Sequence, residues 1–208
     1  MTLIKHPDSV DPALIDLLGC VMGQSKLETF VLGGGTSLSL RFGHRSSDDL
    51  DFFSEQKFDT NVLQSNFFEL FPGSQILNRT TGSLCLVARD IKIEFFYHPF
   101  KLLQEIDSGG QFRFLSLPDI SGMKINAVTN RGSKKDFIDL YLLHTIGISI
   151  ADSLQHFSDK YNGNKLLALR SLLWFEDAEK EPDPLLLNGW SWEFVKERIV
   201  ELVDPIIR

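Results

Sequence analysis

Leu14, Leu17, Leu18, Val21 and Met22 recur at helical spacing, and Asp11-Pro12 in front of them reads as an N-cap followed by proline at the first helical position. A helix is therefore predicted up to Gly23. Thr29 to Leu32 is a short apolar strand that stops at Gly33-Gly34-Gly35. Thr36 to Phe42 alternates Leu38 and Leu40 with Ser37 and Ser39, a pattern that suits a strand or a short helix. Three glycines followed by Thr and Ser look like a turn feeding a helix N-terminus, so helix is preferred. Leu50 to Phe53 is the next strand, Asn61 to Leu70 a helix ended by Pro72-Gly73, and Ser83–Ala88 with Ile91–Tyr97 a hairpin around Arg89-Asp90.

After His98-Pro99 the strands are expected largely to cease. Ser116-Leu-Pro-Asp119 and Ser133-Lys-Lys-Asp136 both have the spacing of a capping box, with Asp in the Glu position, and each opens an apolar-periodic run. Further helical patterns start from Ala151, Gly163 and Trp192. No internal repeat or low-complexity segment interrupts this outline. The expected organisation is α+β: an α/β part over residues 1–115 and a helical region over residues 116–208.

Composition adds bounds to this outline. Of 208 residues, 43% are hydrophobic and 24% charged, which is ordinary globular usage and enough to bury a core. Seventeen Phe against three Tyr and three Trp favour packed strands and helix faces over a wet aromatic interface. Cys20 and Cys85 form no disulfide framework and fit a reducing compartment. Lys5, His6 and Asp8 precede any apolar run, unlike a signal peptide, and no stretch approaches the roughly 18 apolar residues of a membrane helix. A soluble, cytoplasmic protein without membrane partners is expected.

The net charge of −7 excludes a strongly basic nucleic-acid coat protein. Most of it lies from Glu176 onward, where nine acidic residues face four basic ones. Lys124 to Lys135 has the opposite character, with Lys124, Arg131, Lys134 and Lys135 and no acid, and is a candidate phosphate-contacting strip.

Candidate chemistry begins at Asp49-Leu50-Asp51. Side chains two apart on a strand share a face, so both carboxylates point one way while Leu50 and Phe52 face the core. Such a pair suits a divalent hard cation, Mg²⁺ or Mn²⁺, completed by substrate phosphates; a solvated strand end is the plainer alternative. Gly33-Gly34-Gly35 lets backbone N–H groups approach a phosphate, aided by the Thr36 and Ser37 hydroxyls, or is simply a tight turn. No Walker A or G-x-G-x-x-G string is present. His spacing suits no zinc site, and no G-x-S-x-G elbow surrounds Ser37. Trp190 and Trp192 either stack a base or pack the last helix.

Gly34-Gly35, thirteen further residues and then Asp-Leu-Asp in an apolar strand resemble the signature of the DNA polymerase beta nucleotidyltransferase superfamily. Leu32-Gly-Gly-Gly-Thr-Ser-Leu-Ser-Leu-Arg41 and Gly43-His-Arg-Ser-Ser-Asp-Asp-Leu-Asp-Phe-Phe53 are similar to the AbiEii/AbiGii toxin family within it. So are Lys124 with Asn126-Ala127, Arg131-Gly132, and Lys135-Asp-Phe-Ile-Asp-Leu-Tyr-Leu-Leu143; the run Trp174 to Glu179 with Pro182 and Pro184 extends the likeness to about residue 180.

The resemblance implies a polymerase-beta-like core, a small mixed sheet flanked by helices, with the C-terminal helices completing the active-site cleft. It implies metal binding by Asp49 and Asp51 and a triphosphate cradle at Gly34, Gly35 and Thr36, with Ser37 beside it. Lys124 would neutralise triphosphate charge, and Asp136 would be the acid at the start of a helix near the nucleotide. Without the resemblance, Lys124 reads as a solvated lysine, Asp136 as a first-turn carboxylate favoured by the helix dipole, and Asp139 as a second acid or a surface residue.

A third carboxylate belongs on the strand Ile91–Phe95, where Glu94 stands instead of the usual Asp. The extra methylene displaces the oxygen by about 1.5 Å, and misplacement of that size costs on the order of 10² in rate. Glu94 is thus a metal ligand or base, or an edge-strand acid opposite Lys92. Arg45 and Ser47 match the family's Arg-x-Ser, with Arg45 a phosphate or structural partner of its loop; His44 is a positioning or packing residue. The implied activity is Mg²⁺-dependent transfer of an NMP from an NTP to an acceptor hydroxyl, toxin-like, with tRNA as a candidate acceptor and an antitoxin as a partner. The rivals are transfer to a protein or small molecule, and a non-catalytic nucleotide-binding or partner-binding module.

Overall fold

The computed structural model describes residues 3–207; residues 1, 2 and 208, the ends of the two expected spans, lie outside the described residues. The chain divides into two compact units. One takes the chain up to Gly43 together with Ser47–Lys101 and Ile106–Leu115; the other takes His44–Ser46, Leu102–Glu105 and the chain from Ser116 onward.

The first unit is built on a mixed seven-stranded sheet. Its elements are α1 (Pro12–Met22), β1 (Val31–Leu32), α2 (Gly34–Phe42), β2 (Asp49–Ser54), α3 (Thr60–Leu70), β3 (Gln75–Arg79), β4 (Ser83–Ala88), β5 (Ile91–Tyr97), β6 (Asp107–Gly109) and β7 (Phe112–Phe114). The strand order is β3-β4-β5-β2-β1-β7-β6. β2 runs parallel to β5 and antiparallel to β1, and β1 runs parallel to β7.

Local chemistry sets these elements. The Asp11 carboxylate accepts from Ala13 N at 2.8 Å and caps α1, whose Leu14, Leu17 and Leu18 are fully buried. The core is aromatic at its centre: Phe52 of β2 stacks on Phe95 of β5 at 5.2 Å, and Phe30 meets Phe95 edge-on at 4.9 Å. Alternation along β2 buries Leu50 and Phe52 and leaves Asp49 and Asp51 half-buried on the opposite face. Arg41, near the end of α2, donates to Leu115 O at 2.7 Å, pairs with Asp107 at 3.0 Å and lies over the Phe114 ring, which fixes the helix to the β6–β7 side of the sheet.

Several expectations change. Strands do not cease after His98: β6 and β7 form, three residues each, too short for alternation to register, and β7 earns its place by pairing with Leu32. Gln75–Arg79 is a strand the pattern missed, because as a fully exposed edge strand it has no buried face to create a period. The first strand is shorter than Thr29–Leu32, and α2 starts at Gly34 rather than Thr36. β5, which carries Glu94, is an interior strand between β4 and β2 and not an edge.

The second unit is helical: α4 (Leu117–Asn130), α5 (Lys134–Thr145), α6 (Ile150–Tyr161), α7 (Lys165–Ser171) and α8 (Trp192–Ile207). Ser116 caps α4 as expected, accepting from Asp119 N at 3.2 Å. Ser133 does not cap α5; its hydroxyl donates to Glu181 at 2.7 Å, and Asp136 turns inward instead of back toward the cap. A complete capping box stands at Ser149 and Asp152. Trp192 is buried against Phe137 and Phe175, and Trp190 lies against Tyr141, so both tryptophans pack the helices. Among the described residues no single helix is long and apolar enough to cross a membrane.

Candidate active site

In the first unit the turn between β1 and α2 meets the acidic strand. Gly33 N donates to Asp51 O at 2.9 Å, which brings the glycines alongside β2. Gly34 then adopts φ +64°, and a Cβ there would lie 2.8 Å from Asp51 Oδ2. Only glycine satisfies both the left-handed backbone and the absence of a side chain beside the carboxylate.

The hydroxyls expected to meet phosphate are committed elsewhere. Thr36 Oγ1 donates to Asp49 O, which uses its one proton, so Ser47 Oγ at 2.7 Å must be the donor in their mutual bond. Ser37 Oγ donates to Gly34 O at 3.0 Å and is fully buried. These three side chains hold the turn against the start of β2. Of the three glycines only Gly34 is partly exposed, at the N-terminus of α2 against Asp51.

Parallel pairing places Asp49 opposite Lys92 and Asp51 opposite Glu94. Phe53 and Phe96, on the same face, stack at 5.2 Å, confirming the register of that face. Glu94 pairs with Lys92 at 3.3 Å. Burial lowers the Lys92 pKa, but Glu94, with Asp49 and Asp51 behind it, outweighs this and raises it. The thiol of Cys85, across from Glu94 on β4, is pushed up by burial first and then by the charges of Glu94, Asp49 and Asp51. Three carboxylates thus create one negative field on this face.

Among the described residues no group of three His, Cys, Asp or Glu side chains is arranged to hold a metal ion by itself. The Asp49 and Asp51 carboxylates, on one face of β2 and with Gly34 against Asp51, nevertheless suit a hard cation. Asp49 and Asp51 would hold Mg²⁺, with remaining ligands from substrate phosphates.

The second unit holds Arg45, Lys124 and Asp136. Arg45 grips Asp139 with two parallel bonds, Nε to Oδ1 at 2.7 Å and Nη2 to Oδ2 at 2.9 Å. His44 Nε2 lies 2.7 Å from Oδ1, and Lys124 Nζ lies 2.6 Å from Oδ2 and 2.9 Å from Asp136 Oδ1. Arg131 donates to both oxygens of Asp136. All of these groups except Arg131 are buried.

Burial opposes ionisation of Asp139, yet Arg45 and Lys124, with bonds from His44 and Arg45, hold its carboxyl well below the usual range. Burial likewise opposes charge on Lys124, but Asp136 and Asp139 raise its pKa. Asp136 is lowered by Lys124 and Arg131 against burial. Burial lowers the His44 pKa, so the ring is neutral at pH 7, donates from Nε2 to Asp139, and leaves Nδ1 buried without a hydrogen-bond partner.

Asp139 is neither a surface acid nor an isolated one; it is the hub of this network. Two of its partners, Arg45 and His44, stand 94 and 95 positions earlier in the chain, which no local pattern reveals. The proposed strip from Lys124 to Lys135 is also reduced. Lys124 and Lys134 are buried, the latter on Glu181 O and Asp183, leaving Arg131 and Lys135 exposed. Arg45 is only 2% exposed, so it is no landing point for a polyanion.

A model of the family described as nucleotidyl transferase AbiEii toxin, type IV TA system, matches residues 16–205. An uncharacterized protein of Aquifex aeolicus (strain VF5) is 32% identical over 185 residues, spanning 84% of this chain and 88% of that protein. JHP933 from Helicobacter pylori is similar in structure, with a TM-score of 0.58 at 18% identity, over 98% of this chain and 91% of that one. MenT4, a nucleotidyltransferase toxin from Mycobacterium tuberculosis H37Rv, has a TM-score of 0.58 at 16% identity, over 91% of this chain and 82% of its own. The solved structures agree in fold, and the family match runs through the glycine turn, the Asp49–Asp51 strand and the Asp139 network: the chain belongs to the AbiEii toxin family of nucleotidyltransferases.

Proposed function

We propose that the protein transfers an NMP from an NTP to an acceptor hydroxyl in a Mg²⁺-dependent reaction, and that the acceptor is an RNA such as tRNA. The observation that carries this reading is the abutment of Gly34 on Asp51, which sets a glycine turn at a helix start beside a carboxylate pair. Backbone N–H groups at the start of α2 receive a phosphate, and Asp49 and Asp51 take the cation. A Mg²⁺ held by Asp49 and Asp51 would supply positive charge against the triphosphate during in-line attack at the α-phosphate. The negative field on this face supports metal dependence, because a bare triphosphate would be repelled by it.

The acceptor oxygen forms the new bond to the α-phosphorus as the bond to pyrophosphate breaks. Glu94, opposite Asp51 on one neighbouring strand and Cys85 on the other, is the base in this reading: it takes the acceptor's proton once it leaves Lys92. Lys124 and Asp136 act through each other: the ion pair keeps a cation and the start of α5 in fixed positions. An antitoxin partner and a cytoplasmic site of action belong to the same proposal.

The test is incubation of the protein with each labelled NTP and, separately, total tRNA, cell-lysate protein and aminoglycosides, with and without Mg²⁺, beside Asp51→Asn. Metal-dependent label on RNA that disappears in Asp51→Asn is expected. Equal labelling by Asp51→Asn would remove the metal assignment, and label on protein or an aminoglycoside instead would reassign the acceptor.

A further inference from the structure

The helical unit carries a groove that its own packing does not explain. It is a shallow, open depression of about 800 Å³ between the segment after α7 and the outer face of α8. Its apolar surface is Leu173, Trp174 and Val200, with Trp174 55% exposed. Beneath them Phe175 packs on Phe137 and Trp192, so the floor is anchored to the helical core. An exposed tryptophan among aliphatic side chains is the composition of a contact surface, not of a solvated helix face.

The rim is acidic: Glu176, Glu197 and Glu201 surround the apolar floor, all exposed. Glu176 and Glu197 take part in none of the ion pairs found among the described residues. Lys196, the one cation lining the groove among the described residues, is held by Glu179 at 2.7 Å and Glu193 at 2.8 Å. Glu193, Glu197 and Glu201 follow one another at four-residue intervals along α8, about one helical turn apart; Glu193 is paired with Lys196 at 2.8 Å and Glu201 with Arg198 at 2.5 Å, so the charge left over on this rim is that of Glu197 and Glu176.

We infer that this groove docks a basic, amphipathic helical segment of a partner protein, with apolar side chains over Trp174 and Val200 and Lys or Arg at i, i+4 against the glutamate rim. Charge decides among the occupants. A two-fold contact with a second copy would set glutamates against glutamates, and an RNA would meet the same repulsion. A cationic helix is complementary to both the floor and the rim.

The test is fluorescence anisotropy of the full chain with a synthetic basic amphipathic helix of about 20 residues, alongside its Lys→Glu counterpart and a proline-broken basic peptide. Binding of the basic helix alone, with amide shift changes confined to residues 173–176 and 196–201, is expected. Affinity falls about 30-fold in Trp174→Ala and about tenfold in Glu176→Gln/Glu197→Gln. The glutamate variants lie on the surface and keep the test decisive if Trp174→Ala does not fold. Binding of the acidic helix equally well, shifts mapping elsewhere, or unchanged affinity in the glutamate variants would overturn the inference. So would a sedimenting dimer that Trp174→Ala converts to monomer.

Discussion

Gly34 and Asp51 are in contact so close that a methyl group on the glycine would stand 2.8 Å from the carboxylate oxygen. Gly34→Ala therefore meets two penalties, a left-handed backbone at φ +64° that costs about 1–2 kcal/mol and a collision that displaces Asp51. Displacement near 1 Å at a reacting centre costs on the order of 10² in rate. Nucleotidyl transfer by Gly34→Ala is expected to fall by at least that factor while circular dichroism still reports a folded chain. Near-normal transfer would show that the close approach has no role in the reaction.

The glycine turn and the Asp49–Asp51 pair were legible because their geometry is local. A strand's period of two puts Asp49 and Asp51 on one face whatever the rest of the chain does, and glycines bounding an apolar strand mark a turn. Asp139 was illegible for the opposite reason. It lies in a nearly continuous apolar run, and its burial is permitted by Arg45 and His44, far away in sequence, together with Lys124. Asp119 had the spacing of a capping box, but its ion pair with Lys160, 2.7 Å away with both side chains buried, spans 41 positions and has no local signature either. The short β6 and β7 carry too few residues to show any period, and Ser133 had the spacing of a cap but a better partner in Glu181.

Glu94 separates two roles by comparison with Lys92. The pair is partly exposed, so breaking it from either side should change stability by no more than about 1 kcal/mol. If Glu94 accepts the acceptor's proton, Glu94→Gln loses about 10²-fold or more in transfer while Lys92→Met retains most of it. Matching small losses in both variants would leave Glu94 as a surface ion-pair partner only. Single-turnover rates with saturating NTP give the comparison without interference from binding.

Arg45 and Asp139 make a bidentate pair in a dry environment, and the two directions of substitution should differ in size. Asp139→Asn leaves Arg45 and Lys124 charged, buried and short of a counter-ion, which is expected to cost about 3–5 kcal/mol. Arg45→Lys keeps the charge but not the planar fork, so a smaller loss, about 1–3 kcal/mol, should follow. Urea midpoints of the three proteins measure both. Equal stability of Asp139→Asn and the parent would contradict the network drawn from the geometry.

The same network dictates how stability depends on pH. Asp136 and Asp139 have folded pKa values below the ordinary ones, so the unfolded chain takes up protons first as pH drops. Their contribution is complete above about pH 4 and is lost as pH falls through the folded values. His44 is also lowered, so its contribution is complete above about pH 6.5 and declines below it. Lys124 is raised, and its contribution persists below about pH 10.4 and disappears only as pH climbs through its higher folded value. Stability should therefore fall in two stages on acidification, a shallow one below about pH 6.5 and a steeper one below about pH 4. His44→Gln is expected to flatten the first stage, and Asp139→Asn the second, against a lower plateau. Denaturant midpoints taken across this range test the assignment, which fails if either variant retains the parent's slope in its own window.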